Sequence, residues 1–365
     1  MDISNDQYFK QWVRSRNIRK TTIQTYYENI NKYCLFLDKT PTQLIQEARE
    51  DQINQPWMSD RRINQYLLDF QDHMKNYSFN YLKNTLTIVK FFYRHFEIQL
   101  PQLILKNQDS KTYENKSKIP NQDDIRLALK NCSIKYQSII LLMSSSGMGR
   151  GEIQELQVQD FINALDYKGN IGEINTILNH NDNDLIGTWN IHRKKNLNPM
   201  ICFNSPESTR TIIEYLQKCR RNIKPDEPLF LSQRRNKISD SAFESQFSFI
   251  NDRSGFGWSG KHRFFTSHQL RRFFGTTLIK NRVPEIFAEW FLGHKIDPNK
   301  AAYFKEDSSA LKQEYLRVLP YLVIKEKLKV NELTTDDKAE FEAMKKQLAA
   351  MQRQIDRDER FEKLP

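Results

Sequence analysis

The chain has 365 residues, which is enough for about two domains that each bury a hydrophobic core. Hydrophobic residues make up 38% and charged residues 28%, a balance that is typical of folded proteins and excludes a disordered chain. The formal net charge is +11, but residues 331–365 carry a net −2, so the first 330 residues carry +13. A basic folded body with a slightly acidic tail predicts a polyanionic partner, and DNA or RNA is the first candidate.

The cysteines and the apolar segments indicate in which cellular compartment the protein is expected. None of the four cysteines has CxxC spacing, which argues against a zinc ribbon or a redox pair and predicts buried free thiols in a reducing compartment. They are Cys34, Cys132, Cys202 and Cys219. The opening MDISNDQYFK has no apolar signal region, and no apolar run reaches the ~18 residues of a membrane span. We therefore expect a cytoplasmic protein that is associated with nucleic acid rather than with a membrane.

Residues 1–105 are predicted to form an all-α domain. Apolar residues recur three and four positions apart in three stretches, as they do on one face of a helix. The stretches are Tyr26, Ile30, Tyr33 and Leu37; Ile63, Tyr66, Leu67, Phe70 and Met74; and Leu82, Leu86, Val89, Tyr93 and Phe96. Three or four such helices form a small bundle, with the aromatic residues in its core rather than on a base-stacking surface.

A polar segment and a mixed domain follow. Residues 106–118, KNQDSKTYENKSK, have no periodic apolar residue and are predicted to be an extended basic linker. A second domain is expected over 119–325, with Asn121 as a helix N-cap and a buried helix around 139–143. Apolar residues alternate over 185–191 and again over 199–203, which predicts a β-hairpin. The predicted fold class is mainly α with a small antiparallel β-sheet.

The remaining residues, 326–365, form the predicted C-terminal tail. Its apolar residues are spaced as in a heptad seam of about two heptads. They are Phe341, Met344, Leu348, Met351 and Ile355. A helical seam of this length packs either on its own domain or on a neighbouring protomer.

Four short clusters within the second domain carry residues of catalytic type. SSSGMGRGEIQEL places Arg150 at a glycine-rich turn between two helices. It does not fit the dinucleotide motif GxGxxG, because Glu152 stands where the last glycine is required and no strand precedes it. The predicted hairpin tip, RKKN, holds two adjacent lysines. The segment SHQLRR places a histidine and an arginine three residues apart on one helix face. FLGH is followed by a tyrosine nine residues after its histidine.

Taken together, these clusters resemble the tyrosine recombinase family of phage-integrase type. The order of arginine, hairpin lysine, HxLR, LGH and tyrosine matches the catalytic string of that family over about residues 119–320, and the helical first domain matches its architecture. The segments GMGRGEI, RKKN leading to FNSPES, and AYFKED are most similar to archaeal and archaeal-viral integrases. The chain departs from the family pattern at Arg150, which stands one position late, because Gly149 occupies the usual place of the arginine.

The resemblance implies a role for each catalytic residue. Arg150 and Arg271 would stabilise the charge that develops on the non-bridging oxygens of a phosphodiester. Tyr303 would be the nucleophile and His268 its base. The leaving 5′-oxygen would be protonated by the hairpin lysine, for which spacing favours Lys195 over Lys194, and His294 would donate a hydrogen bond to the phosphate. A second tyrosine, Tyr315, lies twelve residues after the first and is expected to be structural.

The same resemblance implies a partner and an assembly. Two domains joined by a basic linker suit a clamp around double-stranded DNA, held mostly by phosphate contacts. Coordinated cutting of two duplexes implies a tetramer on DNA whose protomers exchange a C-terminal segment. No carboxylate cluster of metal-binding type accompanies the catalytic string, so we expect no metal or other cofactor.

Several alternatives stay open from the sequence alone. The enzyme could integrate and excise a mobile element, resolve chromosome or plasmid dimers in the manner of Xer proteins, or relax DNA as a type IB topoisomerase does. It could also be a non-catalytic DNA-binding relative. The sequence does not indicate the attachment site, nor whether the tyrosine acts in its own active site or in that of a neighbour.

Overall fold

The computed structural model describes residues 2–105, 118–165, 185–192, 199–260, 262–294, 296 and 308–325. The chain divides into two compact units, Met1–Asn115 and Lys116–Pro365. Most of the predicted linker and the whole predicted tail lie outside the described residues. No helix within the described ranges is both long enough and apolar enough to span a membrane.

The first unit is all-α, as predicted, and contains five α-helices in its described part. These are α1 Gln7–Ser15, α2 Lys20–Leu37, α3 Pro41–Asn54, α4 Arg62–His73 and α5 Phe79–His95. Short 3₁₀ turns, Met58–Asp60 and Met74–Asn76, flank α4. Three of the helices begin at side-chain caps, because the oxygens of Asp6, Thr40 and Ser78 accept hydrogen bonds from backbone N–H groups of the first turn.

The three predicted apolar stripes lie on α2, α4 and α5 and form the core of this unit. Tyr33 and Tyr93 are fully buried, their hydroxyls lie 3.3 Å apart, and the ring of Tyr33 packs edge-on against Phe70. Trp12 of α1 is also fully buried and stacks on Tyr26. The aromatic residues therefore supply packing area within the bundle, which confirms the prediction that they belong to its core.

The second unit is mixed, with nine described α-helices and two short antiparallel hairpins. The helices are α6 Gln122–Lys130, α7 Ile134–Ser146, α8 Arg150–Glu155, α9 Val158–Ala164, α10 Pro206–Cys219, α11 Asp240–Arg253, α12 Ser267–Lys280, α13 Glu285–Phe291 and α14 Ser308–Leu322. The strands are β1 Thr188–His192, β2 Pro199–Phe203, β3 Trp258–Ser259 and β4 His262–Arg263. As predicted, Asn121 caps α6, and its side chain accepts from the backbone N–H of Asp124.

Helix α7 is the centre of the second unit. Its residues from 138 to 146 are all buried, and it packs against α10 and α12. The three serines at its C-terminal end are satisfied within the helix, since their hydroxyls donate to carbonyls three or four residues earlier. The helix ends at Gly147, whose backbone is left-handed with φ +71°. A Cβ atom at this position would lie 2.4 Å from the Phe274 ring of α12, so glycine is required for the close approach.

The predicted hairpin is confirmed, because β1 and β2 pair antiparallel with Trp189 opposite Cys202. Within β2, Met200, Cys202 and Phe203 are buried and Ile201 is partly exposed, so burial does not follow a strict alternation along this strand. Directly paired residues of an antiparallel hairpin face the same side, so Cys202 shares the buried side of Trp189.

The four cysteines are free, but they are not all buried as predicted. Cys34 and Cys202 are buried, Cys132 is intermediate, and Cys219 is exposed. Cys219 is exposed because it is the last residue of α10, beyond the buried face of that helix. Burial raises the pKa of the Cys34 thiol to about 12, which makes this thiol unreactive at neutral pH.

Buried polar contacts fix the end of the described chain to the second unit. Glu207 is 3% exposed, and its two carboxylate oxygens accept from the backbone N–H groups of Ile324 and Lys325 at 2.7 Å each. The side chain of Gln122 donates to the carbonyls of Tyr321 and Val323. Charge-assisted bonds to backbone groups are among the stronger hydrogen bonds in proteins, so residues 321–325 are held firmly on α6 and α10.

Candidate active site

One cavity of about 530 Å³ in the second unit brings together three of the sequence-predicted site residues. Arg150, His268 and Arg271 line its wall, although the first is more than a hundred residues from the other two along the chain. The rest of the lining comes from the residue before α8, from one face of α11, from the β3–β4 hairpin and from the start of α12. It consists of Gly149, Glu244, Phe247, Ser248, Trp258, His262, Arg263, Thr266 and Ser267.

Arg150 is the first residue of α8, and its N-cap is Gly149. Its guanidinium forms an ion pair with Glu244, and its Nε lies 3.6 Å from Oδ1 of Asp240. Both carboxylates belong to α11 and are largely exposed. The arginine is therefore held by acidic groups, and a bound anion would compete with them for the same guanidinium.

The structure explains how an arginine one position late still reaches the cavity. A Cβ atom on Gly149 would lie 2.6 Å from Oε2 of Glu152, which accepts a 2.9 Å hydrogen bond from the Gly149 N–H. The same Cβ would be 4.0 Å from Nη1 of Arg271. Gly149 and Arg150 both line the cavity, so the arginine that stands one position late still belongs to its wall.

His268 and Arg271 lie one turn apart on α12, so the spacing of three places both on the cavity side of this helix. Burial lowers the pKa of His268 below its ordinary value of 6.5, and the positive charges of Arg272 and Arg271 lower it further. The imidazole is consequently neutral at pH 7 and can accept a proton.

Arg271 is fixed by backbone carbonyls from two turns. Its Nη1 donates to the carbonyl of Gly147 at 2.8 Å, and its Nη2 donates to the carbonyl of Leu292. Gly147 ends α7 and Leu292 ends α13, so the guanidinium joins three helices of the domain. Its position is set before any substrate binds.

His294 follows α13, two residues after the Leu292 carbonyl that Arg271 contacts. Its Nδ1 lies 3.1 Å from Oε2 of Glu289, and its backbone N–H donates to the Glu289 carbonyl. An ionised carboxylate only accepts, so Nδ1 is the donor in this pair. Glu289 therefore orients the imidazole.

Two predicted site residues lie outside the described residues. These are Tyr303, the predicted nucleophile, and Lys195, with its alternative Lys194. The second tyrosine is described and is fully buried. The hydroxyl of Tyr315 donates to the Ser145 carbonyl at 3.0 Å, and burial raises its pKa well above 10. A buried phenol that is engaged in this way has a structural place, as expected.

Two parts of the cavity were not predicted from the sequence. One is Glu244 of α11, which contacts Arg150, and the other is the β3–β4 hairpin, which contributes Trp258, His262 and Arg263. The sequence does contain the pattern of helix α11, since Phe243, Phe247 and Ile250 are spaced four and three apart. All three are buried. The two-residue strands are too short to show alternation.

A family comparison identifies this arrangement. The model of the phage integrase family matches residues 120–309, which is just over half of the chain and includes every residue of the predicted catalytic string. The chain belongs to the phage integrase family. It is therefore a tyrosine recombinase, as the motif order predicted, and the cavity lies within the matched region.

Solved structures of tyrosine recombinases are similar to the integrase-family chain in fold. A lambda integrase dimer bound to a core site is 16% identical with a TM-score of 0.54, and the match covers 83% of this chain and 94% of that one. XerH recombinase bound to a palindromic difH substrate is 17% identical with a TM-score of 0.51. That match covers 83% of this chain and 82% of the XerH chain. A search of curated protein sequences found no match.

Proposed function

We propose that this integrase-family chain is a site-specific DNA recombinase that cuts and rejoins double-stranded DNA through a 3′-phosphotyrosine at Tyr303. The observation that carries the proposal is the convergence of Arg150, His268 and Arg271 on one cavity. Two guanidinium groups and a neutral imidazole are the groups that a phosphodiester and an attacking phenol require.

The phosphate would bind between the two arginines. Attack on a phosphodiester adds negative charge to the non-bridging oxygens, and guanidinium groups stabilise it with paired hydrogen bonds. The N-terminus of α12 adds to this field, because its N-cap Thr266 and its first residue, Ser267, line the cavity. Helix N-termini carry partial positive charge and favour bound anions.

The proton of the nucleophile would pass to His268. A tyrosine hydroxyl has an ordinary pKa near 10, so it must lose its proton as it attacks. The lowered pKa of His268 keeps the imidazole free to accept that proton at neutral pH. The phenolate oxygen of Tyr303 forms a bond to phosphorus while the bond from phosphorus to the 5′-oxygen breaks.

The leaving 5′-oxygen would take a proton from Lys195, and His294 would donate to a non-bridging oxygen. The products are a 3′-phosphotyrosyl bond and a free 5′-hydroxyl. A phosphodiester is exchanged for a phosphodiester, so rejoining needs no ATP. The reverse attack by a 5′-hydroxyl from another duplex would produce recombination.

We propose that the substrate is duplex DNA with two sites joined in a homotetramer, and that the protein works in the DNA-containing cytoplasm. The charge of +13 on the first 330 residues supports a DNA partner, and the solved relatives include a lambda integrase tetramer bound to a Holliday junction. Removal of residues 331–365 is expected to leave cleavage intact while it weakens assembly. Unchanged assembly of two duplexes after this deletion would contradict a role for the tail.

The covalent intermediate provides the decisive test. Sheared, nicked genomic DNA of the source organism is incubated with the wild type, denatured rapidly, and the DNA attached to protein is sequenced. A duplex with the recovered site, nicked a few nucleotides 3′ of the cleavage point, then loses its short 5′-hydroxyl fragment and accumulates the adduct. Wild type is expected to form the adduct, and Tyr303→Phe is not.

Two results would overturn parts of the proposal. Failure of the wild type to form any adduct would reject the enzymatic function and leave a DNA-binding relative. An adduct formed by Tyr303→Phe would reject the nucleophile. Integration and excision are separated from simple relaxation by a supercoiled plasmid that carries two recovered sites. A recombinase yields exchanged products, whereas a nick-and-relax enzyme only removes supercoils.

A further inference from the structure

Trp258 is an exposed aromatic residue at the rim of the cavity that holds Arg150, His268 and Arg271. It is 65% exposed and Trp57 of the first unit is 72% exposed, whereas Trp12, Trp189 and Trp290 are buried. Single exposed apolar side chains are common on proteins, so exposure alone indicates little. The position of this indole is more informative, because it lines the cavity that also contains three arginines and that is proposed to bind a phosphate.

The hairpin that carries Trp258 is anchored to the domain core. Asn251 of α11 is fully buried, and its side chain donates to the Gly257 carbonyl at 3.0 Å and accepts from the Phe265 N–H at 2.8 Å. The ring of Phe256 stacks on Phe265, which is also fully buried. The residues on both sides of the β3–β4 hairpin are therefore fixed, which holds the hairpin at the cavity.

One face of the indole is already occupied by a cation. The guanidinium carbon of Arg263 lies 5.0 Å from the ring centroid of Trp258, within the range of a cation–π contact. Arg263 is itself held by two 2.9 Å hydrogen bonds to the carboxylate of Asp252. This fixed guanidinium sets the orientation of the ring, while 65% of the residue remains available to a ligand.

We propose that Trp258 positions the DNA by stacking on the nucleotide next to the scissile phosphate. This inference rests on the proposed function, since it takes the cavity as the phosphate site. A nucleotide joined to a phosphate in that cavity must pass the rim. Once the strand is cut, its terminal base has a neighbour on one side only, and its other face is open to an aromatic ring. Stacking tolerates any base, so Trp258 would hold the cut end without reading sequence.

Rejoining kinetics test this proposal with a graded series of variants. With the covalent adduct already formed, Trp258→Ala is expected to slow rejoining of an added 5′-hydroxyl strand, at subsaturating strand concentration, by about tenfold, the loss of one base–aromatic stack. Trp258→Phe retains a π-face and should recover most of the rate, whereas Trp258→Leu should not. A merely structural role would instead make both apolar substitutions similar.

The matched control is Phe249→Ala on α11. Phe249 is 50% exposed and has the guanidinium of Arg253 5.8 Å from its ring centroid, but it does not belong to the cavity lining. Its replacement should leave the rate within about twofold of wild type. An equal loss in Phe249→Ala and Trp258→Ala would overturn the proposal.

A second measurement separates this proposal from the proposed function. A duplex nicked at the cleavage position, with 2-aminopurine at the 5′-hydroxyl end, is bound to Tyr303→Phe, so that no cleavage is needed. Stacking should quench the fluorescence, and adding Trp258→Ala should restore it. Equal quenching in both proteins would reject the stacking, even if wild type forms the covalent adduct. If wild type forms no adduct on any DNA, the proposed recombinase function is rejected. Fluorescence quenching on a nicked duplex of arbitrary sequence then still decides whether Trp258 stacks on a base.

Discussion

The guanidinium of Arg271 donates to the carbonyl oxygen of Gly147 across 2.8 Å, which joins α12 to the turn that follows α7. That carbonyl is available because Gly147 adopts a left-handed conformation in which a side chain would collide with Phe274. A second bond from Arg271 reaches the Leu292 carbonyl. The arginine is thus preorganised, and catalysis requires no further ordering of its side chain.

Replacement of Arg271 by lysine should retain the charge and lose the geometry. An ammonium group is a point charge that lacks the planar fork, so it cannot span both carbonyls and still face the cavity in the same way. We expect Arg271→Lys to slow covalent adduct formation by about 10²- to 10³-fold while noncovalent DNA affinity changes far less. Single-turnover kinetics on the nicked duplex measure the first quantity, and fluorescence anisotropy measures the second.

The control for this prediction is Arg272→Lys, on the next residue of the same helix. It keeps the positive charge beside His268 and leaves both carbonyl contacts of Arg271 in place. A rate close to that of wild type is expected. If Arg271→Lys also cleaved at the wild-type rate, the preorganised fork would have no part in the reaction.

The pH dependence of cleavage should report on His268. Its pKa is lowered from 6.5 by burial and by Arg272 and Arg271, so the free base persists to lower pH than for an ordinary histidine. The rate should therefore fall with acid only at pH values below 6.5, where the imidazole becomes protonated and can no longer accept the phenol proton. Single-turnover rates measured between about pH 5 and 8 test this, because histidine side chains change charge in that range.

Two variants test whether His268 causes the fall in rate at low pH, which is the acidic limb of the pH profile. His268→Gln should slow cleavage and abolish the limb, since the titrating base is gone. Arg272→Gln removes one of the charges that lower the pKa, so it should move the limb to higher pH. A limb that stays in place in Arg272→Gln would show that another group controls the profile.

The ion pair of Arg150 with Glu244 predicts competition with DNA. The carboxylate occupies the guanidinium and repels a phosphate that approaches the same cavity. Both side chains are partly solvated, and exposed pairs contribute about 0.2–1 kcal/mol. Glu244→Gln should therefore bind DNA about two- to fivefold more tightly at low salt, with the difference shrinking at high salt.

A matched control for this effect is Glu214→Gln on α10. Glu214 also forms an exposed ion pair, with Lys218, but it does not line the cavity. Both variants change the net charge by the same amount. An equal gain in affinity for the two would mean that only overall charge matters, and the local competition would be refuted.

The sequence predicted the parts of this fold that local patterns specify. Periodic apolar residues located the stripes of α2, α4 and α5, and the spacing of three in HQLR placed His268 and Arg271 on one side of α12. The hairpin was predicted from the alternation, but the alternation did not show which side of β2 is buried. That face depends on pairing with β1, because Cys202 must lie on the side of its partner Trp189.

The parts that were not predicted depend on contacts between distant segments. Arg150 and Glu244 are 94 residues apart, and no local pattern relates them. The β3–β4 hairpin owes its position to bonds from Asn251 to the segments on either side of it. Such three-dimensional contacts decide which exposed side chains, including Trp258, belong to the site.

A substitution at Tyr315 tests whether this tyrosine is structural and Tyr303 is the nucleophile. Tyr315→Phe removes the hydrogen bond to the Ser145 carbonyl and leaves that buried acceptor without this donor. The expected cost is about 1–2 kcal/mol of unfolding free energy, visible as a lower Tm of the catalytic domain in calorimetry of the full chain. The covalent adduct should still form below that Tm, because the buried phenol has a pKa far above neutral and does not supply a phenolate. Loss of the adduct with an unchanged Tm would instead assign the nucleophile to Tyr315, and would require α14 to leave its place against α7.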